Sequence, residues 1–187
     1  MVFMLLSGMH FGLLYSASLG KIQPLWKSPV VRYYLSSIIV ISLVITINLK
    51  ISGIESDWVH AARHAFFQVI SVGTTTGFAS ADSSIWPSFS ILLMIFLTLQ
   101  CACSGSTSGG LKVDRVLIFY KAFKAQVKKQ IHPNAVIPVK LGNHVLDRET
   151  VTSTSLFIVL YMSIVFVVTI ILAFLGVDIL EAFTASA

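Results

Sequence analysis

The chain has 187 residues, of which 56% are hydrophobic and only 11% charged, with a mean hydropathy of +0.86. A soluble domain carries about 25% charged residues, so this composition excludes a large soluble domain and makes the bilayer the expected solvent. The net charge of +5 does not point to nucleic acid, because the basic residues are spread over membrane-flanking loops and no basic face interleaved with aromatics exists.

Residues 1–19 are apolar, but no Lys or Arg precedes them as a signal peptide requires, so they are expected to be a membrane helix or the latter half of one. Residues 20–32 bring Lys21, Lys27 and Arg32 without an acid. A spanning helix is predicted over residues 33–49, then a loop in which Ser56 or Asp57 is placed to cap the next helix. That helix, residues 58–70, is 13 residues long and reaches roughly 20 Å, too short for a hydrocarbon core of about 30 Å.

An uncharged stretch follows, Ser71-Val72-Gly73-Thr74-Thr75-Thr76-Gly77-Phe78-Ala79-Ser80. Threonines ending in glycine can aim carbonyl and hydroxyl oxygens at a dehydrated cation, as potassium filters do. Irregular backbone at membrane depth survives only inside protein or beside a water-filled path. Length, polarity and position favour a re-entrant pore loop over the alternative, an amphipathic interfacial helix with a surface turn.

A further spanning segment is predicted over residues 88–103, ending in Cys101 and Cys103. With no histidine beside them, these cysteines read as small packing residues rather than a metal or redox site. The chain then breaks at Ser104-Gly105-Ser106-Thr107-Ser108-Gly109-Gly110. Gly105 to Gly110 has phosphate-loop spacing, but Leu111 stands where the lysine would be. The stretch is either a flexible linker or, because it interrupts apolar sequence before any charge appears, a hinge or gate beside a wet cavity.

A helix over residues 113–131 carries Val113, Val116, Leu117, Tyr120, Phe123, Val127 and Ile131 on one side and Lys121, Lys124 and Lys128 on the other. Residues 132–147 contain Gly142-Asn143 between short apolar runs, a turn suited to a β-hairpin, with His132 and His144 solvated or capping. A nearly uncharged helix over residues 150–175 leads through Asp178 to Ala182-Phe183-Thr184.

Every Lys and Arg except Lys50 and Arg63 lies in residues 20–32 or 111–150. The positive-inside rule therefore puts both basic loops in the cytoplasm and the Thr/Gly loop outside. Glu55, Asp57 and Asp82 then read as outer-face cation attraction or caps. The end of the chain repeats its middle: spanning helix, short acidic loop, short helix, with Ala65-Phe66-Phe67 echoed by Ala182-Phe183-Thr184. The sequence reads as one complete helix–pore-loop–helix unit followed by the first half of another, truncated before a second filter. No nucleophile–base pair, metal cluster or phosphate loop argues for an enzyme.

Three motifs together resemble the Trk/Ktr/HKT superfamily of potassium uptake proteins, most closely bacterial Trk-type potassium-translocating subunits. They are Thr74-Thr75-Thr76-Gly77-Phe78, Gly105-Ser106-Thr107-Ser108-Gly109-Gly110-Leu111-Lys112-Val113, and His132-Pro133-Asn134-Ala135-Val136. The resemblance implies an all-α multi-pass protein of potassium-channel-type repeats with a short cytoplasmic hairpin. It implies four units around one pore, of which residues 1–20 end the second, residues 29–131 form the third and residues 148–187 begin the fourth. Residues 58–70 would be the pore helix and 71–80 the filter, with Thr75, Thr76, Gly77 and Phe78 facing potassium and Gly73 and Thr74 supporting them. Residues 88–131 would be the broken inner helix, gated by loop 104–112 through Gly105, Ser106, Thr107, Ser108, Gly109 and Gly110.

The resemblance further implies a homodimer in the bacterial inner membrane, with no cofactor, potassium as transported substrate and a cytosolic nucleotide-binding regulatory subunit. Residues 112–148 suit that contact, although lipid headgroups would explain their charge equally well. The fourth filter and the family's pore arginine would lie beyond Ala187. An inert membrane fragment and a sodium or unselective pore-loop channel remain as alternatives.

Overall fold

The computed structural model describes residues 1–100, 102–132, 137–142 and 144–187. Cys101, the Pro133-Asn134-Ala135-Val136 part of the third motif, and Asn143 of the hairpin turn lie outside the described residues. The chain divides into two units, Met1–Val113 and Asp114–Ala187.

In the first unit the expected single helix over residues 1–19 is two, α1 (Val2–Ser7) and α2 (Phe11–Ser18). The hydrogen bonds explain the correction. In an unbroken helix the Gly12 amide would donate to the Gly8 carbonyl. Instead Gly12 donates to Nδ1 of His10 at 3.0 Å, and the Gly8 carbonyl accepts from the Cys103 amide at 3.0 Å. Only glycine fits at position 8, since a Cβ there would stand 2.3 Å from Oη of Tyr34.

A short helix α3 (Gln23–Lys27) leads to α4 (Pro29–Ile51). Ser28 caps α4 and Pro29 supplies its first turn, a helix-start signal that carries the helix four residues upstream of the expected residue 33. Its 23 residues extend about 34 Å, enough to cross a bilayer core. Val31, Tyr34, Ile38, Ile41, Ile45 and Leu49 form its buried stripe, while Ile39, Val40, Leu43 and Ile47 are exposed on other faces. A helix apolar all round suits lipid.

Helix α5 (Trp58–Gly73) packs chiefly on α4, with Ala61, Ala65 and Val69 fully buried. Small residues let the two backbones approach closely, as membrane helix interfaces require. Asp57 takes the N-cap position but its side chain makes no capping bond. The helix runs three residues past the expected residue 70, so Ser71, Val72 and Gly73 form its last turn. At 16 residues, about 24 Å, it is still short of a full crossing.

Helix α6 (Ser88–Leu99) is fixed to α4 by Ser90, which is buried and donates to Oδ1 of Asn48 at 2.7 Å. It stops before the expected residue 103 because Gln100 turns extended and pairs with Leu111 in an isolated parallel bridge. The buried Gln100 side chain is satisfied by Oη of Tyr33, which donates to Oε1 at 3.3 Å.

In the second unit, α7 (Val113–Ile131) has its predicted bounds. Strands β1 (Lys140–Leu141) and β2 (His144–Val145) make the predicted hairpin, with Lys140 opposite Val145, and His132 and His144 are exposed. Helix α8 (Arg148–Phe174) has 27 residues and extends about 40 Å. Gly176, at φ +91°, turns the chain into α9 (Ile179–Ser186), which is capped by Asp178. Helix α9 folds back on α8 through the Thr169–Ser186 hydroxyl pair at 2.7 Å, with Ala182 fully buried.

Helices α4 and α8 are both long and apolar enough to cross a membrane. Only 39% and 11% of their most apolar windows are buried within the chain, so most of that apolar surface is not covered by these 187 residues. That is the pattern expected of lipid-exposed helices rather than of a soluble core.

Candidate functional site

The last turn of α5 prepares the Thr/Gly stretch. Thr74 ends the helix: its amide donates to the Ile70 carbonyl at 3.0 Å, its hydroxyl bonds the same oxygen at 2.6 Å, and it is buried. The amide of Thr75 donates to the Val72 carbonyl and that of Thr76 to the Ser71 carbonyl, each at 3.0 Å. Thr76 also lies 3.2 Å from the Met4 sulfur. The amides of Thr74, Thr75 and Thr76 are therefore turned back to the helix and used. The carbonyl oxygens of Thr75, Thr76, Gly77 and Phe78 accept no hydrogen bond from the described residues.

The backbone here is unusual. Gly77 has φ +75°, and a Cβ at that position would meet nothing within 4 Å, so its left-handed backbone, rather than crowding, calls for glycine. Thr75 has φ +54°, the sole positive value for a non-glycine among the described residues. For a β-branched residue that conformation is a genuine outlier costing about 1–3 kcal/mol, which the surrounding contacts must hold in place.

Beyond Gly77 the chain is tied back to α5. The Gln68 amide donates to the Ala81 carbonyl, and Nδ1 of His64 lies 3.4 Å from the Ser80 hydroxyl. Nε2 of His64 faces Glu55 at 3.8 Å. Asp82 accepts from the hydroxyl and amide of Ser84 at 2.7 and 2.9 Å. Those bonds hold its carboxyl below the usual carboxylate range, so an exposed negative charge persists beside the stretch.

The Gly-rich break forms a loop that takes in residues 102–112, longer than the sequence suggests. Its base is closed by the Gln100–Leu111 bridge and by the Val113 amide donating to the Ala102 carbonyl at 3.1 Å. Ser106 bonds the Cys103 carbonyl at 2.6 Å and the Ser108 hydroxyl at 2.9 Å, and Nζ of Lys112 reaches the Ser108 carbonyl. Cys103 is fully buried, which fits a packing role. Gly105 and Gly110 take φ +75° and +65°.

Two neighbours hold this loop. On one side lies the break between α1 and α2: Gly8 accepts from the Cys103 amide, the Phe11 amide donates to Gly105 at 3.1 Å, and Thr107 reaches the Ser7 carbonyl at 3.4 Å. On the other side the Gly109 amide donates to the Thr75 hydroxyl at 3.1 Å. The structure thus joins Thr75 to Gly109, and ties Gly105 and Thr107 to the break between α1 and α2. Phe78 is 63% exposed and contacts none of them by hydrogen bond. Sequence reasoning missed Ser7, Gly8, His10, Phe11 and Tyr34; the only local hint was Gly8-Met9-His10 inside an otherwise apolar run.

A profile of the TrkH family, described as cation transport protein, matches residues 1–185. The Trk system potassium uptake protein TrkH of Escherichia coli K12 is 32% identical over 185 residues, 98% of this chain and 38% of that protein. TrkG of the same strain is 29% identical over 187 residues. The crystal structure of the potassium transporter TrkH from Vibrio parahaemolyticus superposes with a TM-score of 0.90 at 31% identity, covering 97% of this chain and 40% of that one. The chain spans about 38% of the length of the curated relatives it matches.

Proposed function

This chain belongs to the TrkH family of cation transport proteins, a family of transporters rather than enzymes, and we propose that it forms part of a potassium uptake pathway across a bacterial inner membrane. Residues 71–80 supply one wall of the selectivity filter and residues 104–112 the gate beneath it. One observation carries this reading. A helix too short to cross the bilayer ends in backbone where the amides of Thr74, Thr75 and Thr76 bond back to its last turn, while the carbonyl oxygens from Thr75 to Phe78 accept no hydrogen bond from the described residues.

Such oxygens can replace the hydration shell of a potassium ion, while the Thr75 hydroxyl assists at the cavity end. A preformed wall costs no reorganisation when the ion arrives, which is why strained backbone is worth holding in place. Gly73 and Thr74 act as supports: Gly73 is buried in the last turn and Thr74 fixes the helix end. The Asp82 carboxylate adds cation attraction on the outer side.

The positive-inside distribution orients this wall outward and directs the basic residues of 20–32 and 111–150 to the cytoplasm. Those cytoplasmic charges suit anionic lipid headgroups and a docking nucleotide-binding subunit. Helix α9 follows α8 across an acidic loop as α5 follows α4, which supports its assignment as the start of a further pore helix. Four such units per pore and a dimeric transporter complete the proposal, so uptake activity is assigned to the full-length protein.

The test is growth. Cells lacking their own potassium uptake systems, supplied with the full-length protein, are expected to grow at low potassium. Failure despite verified membrane expression would sink the transport reading.

A further inference from the structure

The Thr75 hydroxyl stands between the two proposed elements, joined to the loop of residues 104–112 by the Gly109 amide. Its geometry is costly: a β-branched residue is held at φ +54°, pinned by its own amide on the Val72 carbonyl at 3.0 Å. That conformation leaves Thr75 exposed while its oxygen accepts from the Gly109 amide at 3.1 Å. An observed backbone outlier at a contact between two functional elements invites a functional explanation.

We propose that Thr75 couples ion occupancy to the gate: its hydroxyl latches loop 104–112 through Gly109, and a potassium ion at the cavity end of the filter weakens that latch. The proposal rests on the filter and gate assignments given above. A hydroxyl oxygen has two lone pairs and one proton. In this structure one lone pair serves the Gly109 amide, and the other is available to a cation. An ion coordinated by the oxygen draws electron density from it, making it a poorer acceptor, and places positive charge beside the partly positive amide hydrogen. Occupancy therefore favours the unlatched loop.

By linkage, an unlatched loop raises cation affinity at this position by the same factor. The opposite edge of the loop does not share this dependence. It hangs on backbone bonds from Cys103 to Gly8 and from Phe11 to Gly105, which no permeating ion needs to touch. The break between α1 and α2 is then the fixed anchor, and Thr75 the releasable one.

The test is hydrogen–deuterium exchange on the full-length transporter, following peptides that cover residues 105–112, in potassium and in choline. The wild type is expected to exchange about 2–10-fold faster in potassium, the range set by one net hydrogen bond. Thr75→Val, which keeps the β-branch but removes the acceptor, is expected to be fast in both salts, and Thr75→Ser to restore the potassium dependence. Gly109→Pro removes the donor without altering the filter and is expected to raise basal rubidium flux by a similar factor. Potassium-independent exchange in the wild type, slow exchange in Thr75→Val, or unchanged flux in Gly109→Pro would each overturn the coupling. A failed filter assignment would show itself differently, as unaltered selectivity when Gly77 is replaced.

Discussion

Gly77→Ser in the full-length transporter is expected to lower potassium-over-sodium selectivity about tenfold. A side chain at Gly77 meets no neighbour within 4 Å, so the effect is not steric. It comes from φ +75°, where an L-residue pays about 1–2 kcal/mol relative to glycine. The chain can avoid that cost by rotating away, which moves the carbonyl oxygens on either side of the peptide. Since 1.4 kcal/mol is a factor of ten, a strain of this size is enough to change which ion the wall fits best. Competitive rubidium and sodium flux measures the ratio directly. An unchanged ratio would argue that residues 71–80 do not face the ion.

Deleting residues 105–110 should do the converse: basal flux rises and its regulation is lost, with selectivity intact. The deletion removes two well-formed anchors, the Phe11–Gly105 and Gly109–Thr75 bonds. At about 1 kcal/mol each, their loss shifts the position of the loop by roughly 30-fold. Single-channel or liposome flux recordings report both quantities. Altered selectivity with unaltered basal flux would refute the gate assignment.

How much of this was legible in the sequence depended on whether the cause of a feature is local. Helix α7 begins and ends where periodicity puts it, at Val113 and Ile131, because its charged and apolar faces alternate within the segment itself. The hairpin of Lys140–Leu141 and His144–Val145 is likewise a local feature, with Gly142 at φ +62° after its first strand. Helix α5 was legible as a half-length element, but its end was not. Ser71 and Gly73 flank a β-branched Val72 and look like loop, yet the Thr74 amide and hydroxyl both close on the Ile70 carbonyl and the helix runs through them.

Features with distant causes were invisible. Nothing in Leu99-Gln100 announces a helix end; Leu111 and Tyr33 impose it. Glycine is tolerated in many membrane helices, so the break between α1 and α2 at Gly8 could not be foreseen. Its reason is the Cys103 amide taking the Gly8 carbonyl, together with Tyr34 filling the space a side chain would need. Motif likeness supplied the candidate residues of the filter and gate. It could not supply the Thr75–Gly109 bond, because that bond depends on a strained φ that no composition or spacing encodes.

The central claim is that Thr75 to Phe78 form an ion-facing wall, and anomalous scattering from the full-length transporter crystallised in thallium or rubidium tests it most directly. Anomalous density in contact with the carbonyl oxygens of Thr75, Thr76 and Gly77 is the predicted result. Density confined to other parts of the protein, with none against residues 75–78, would contradict it.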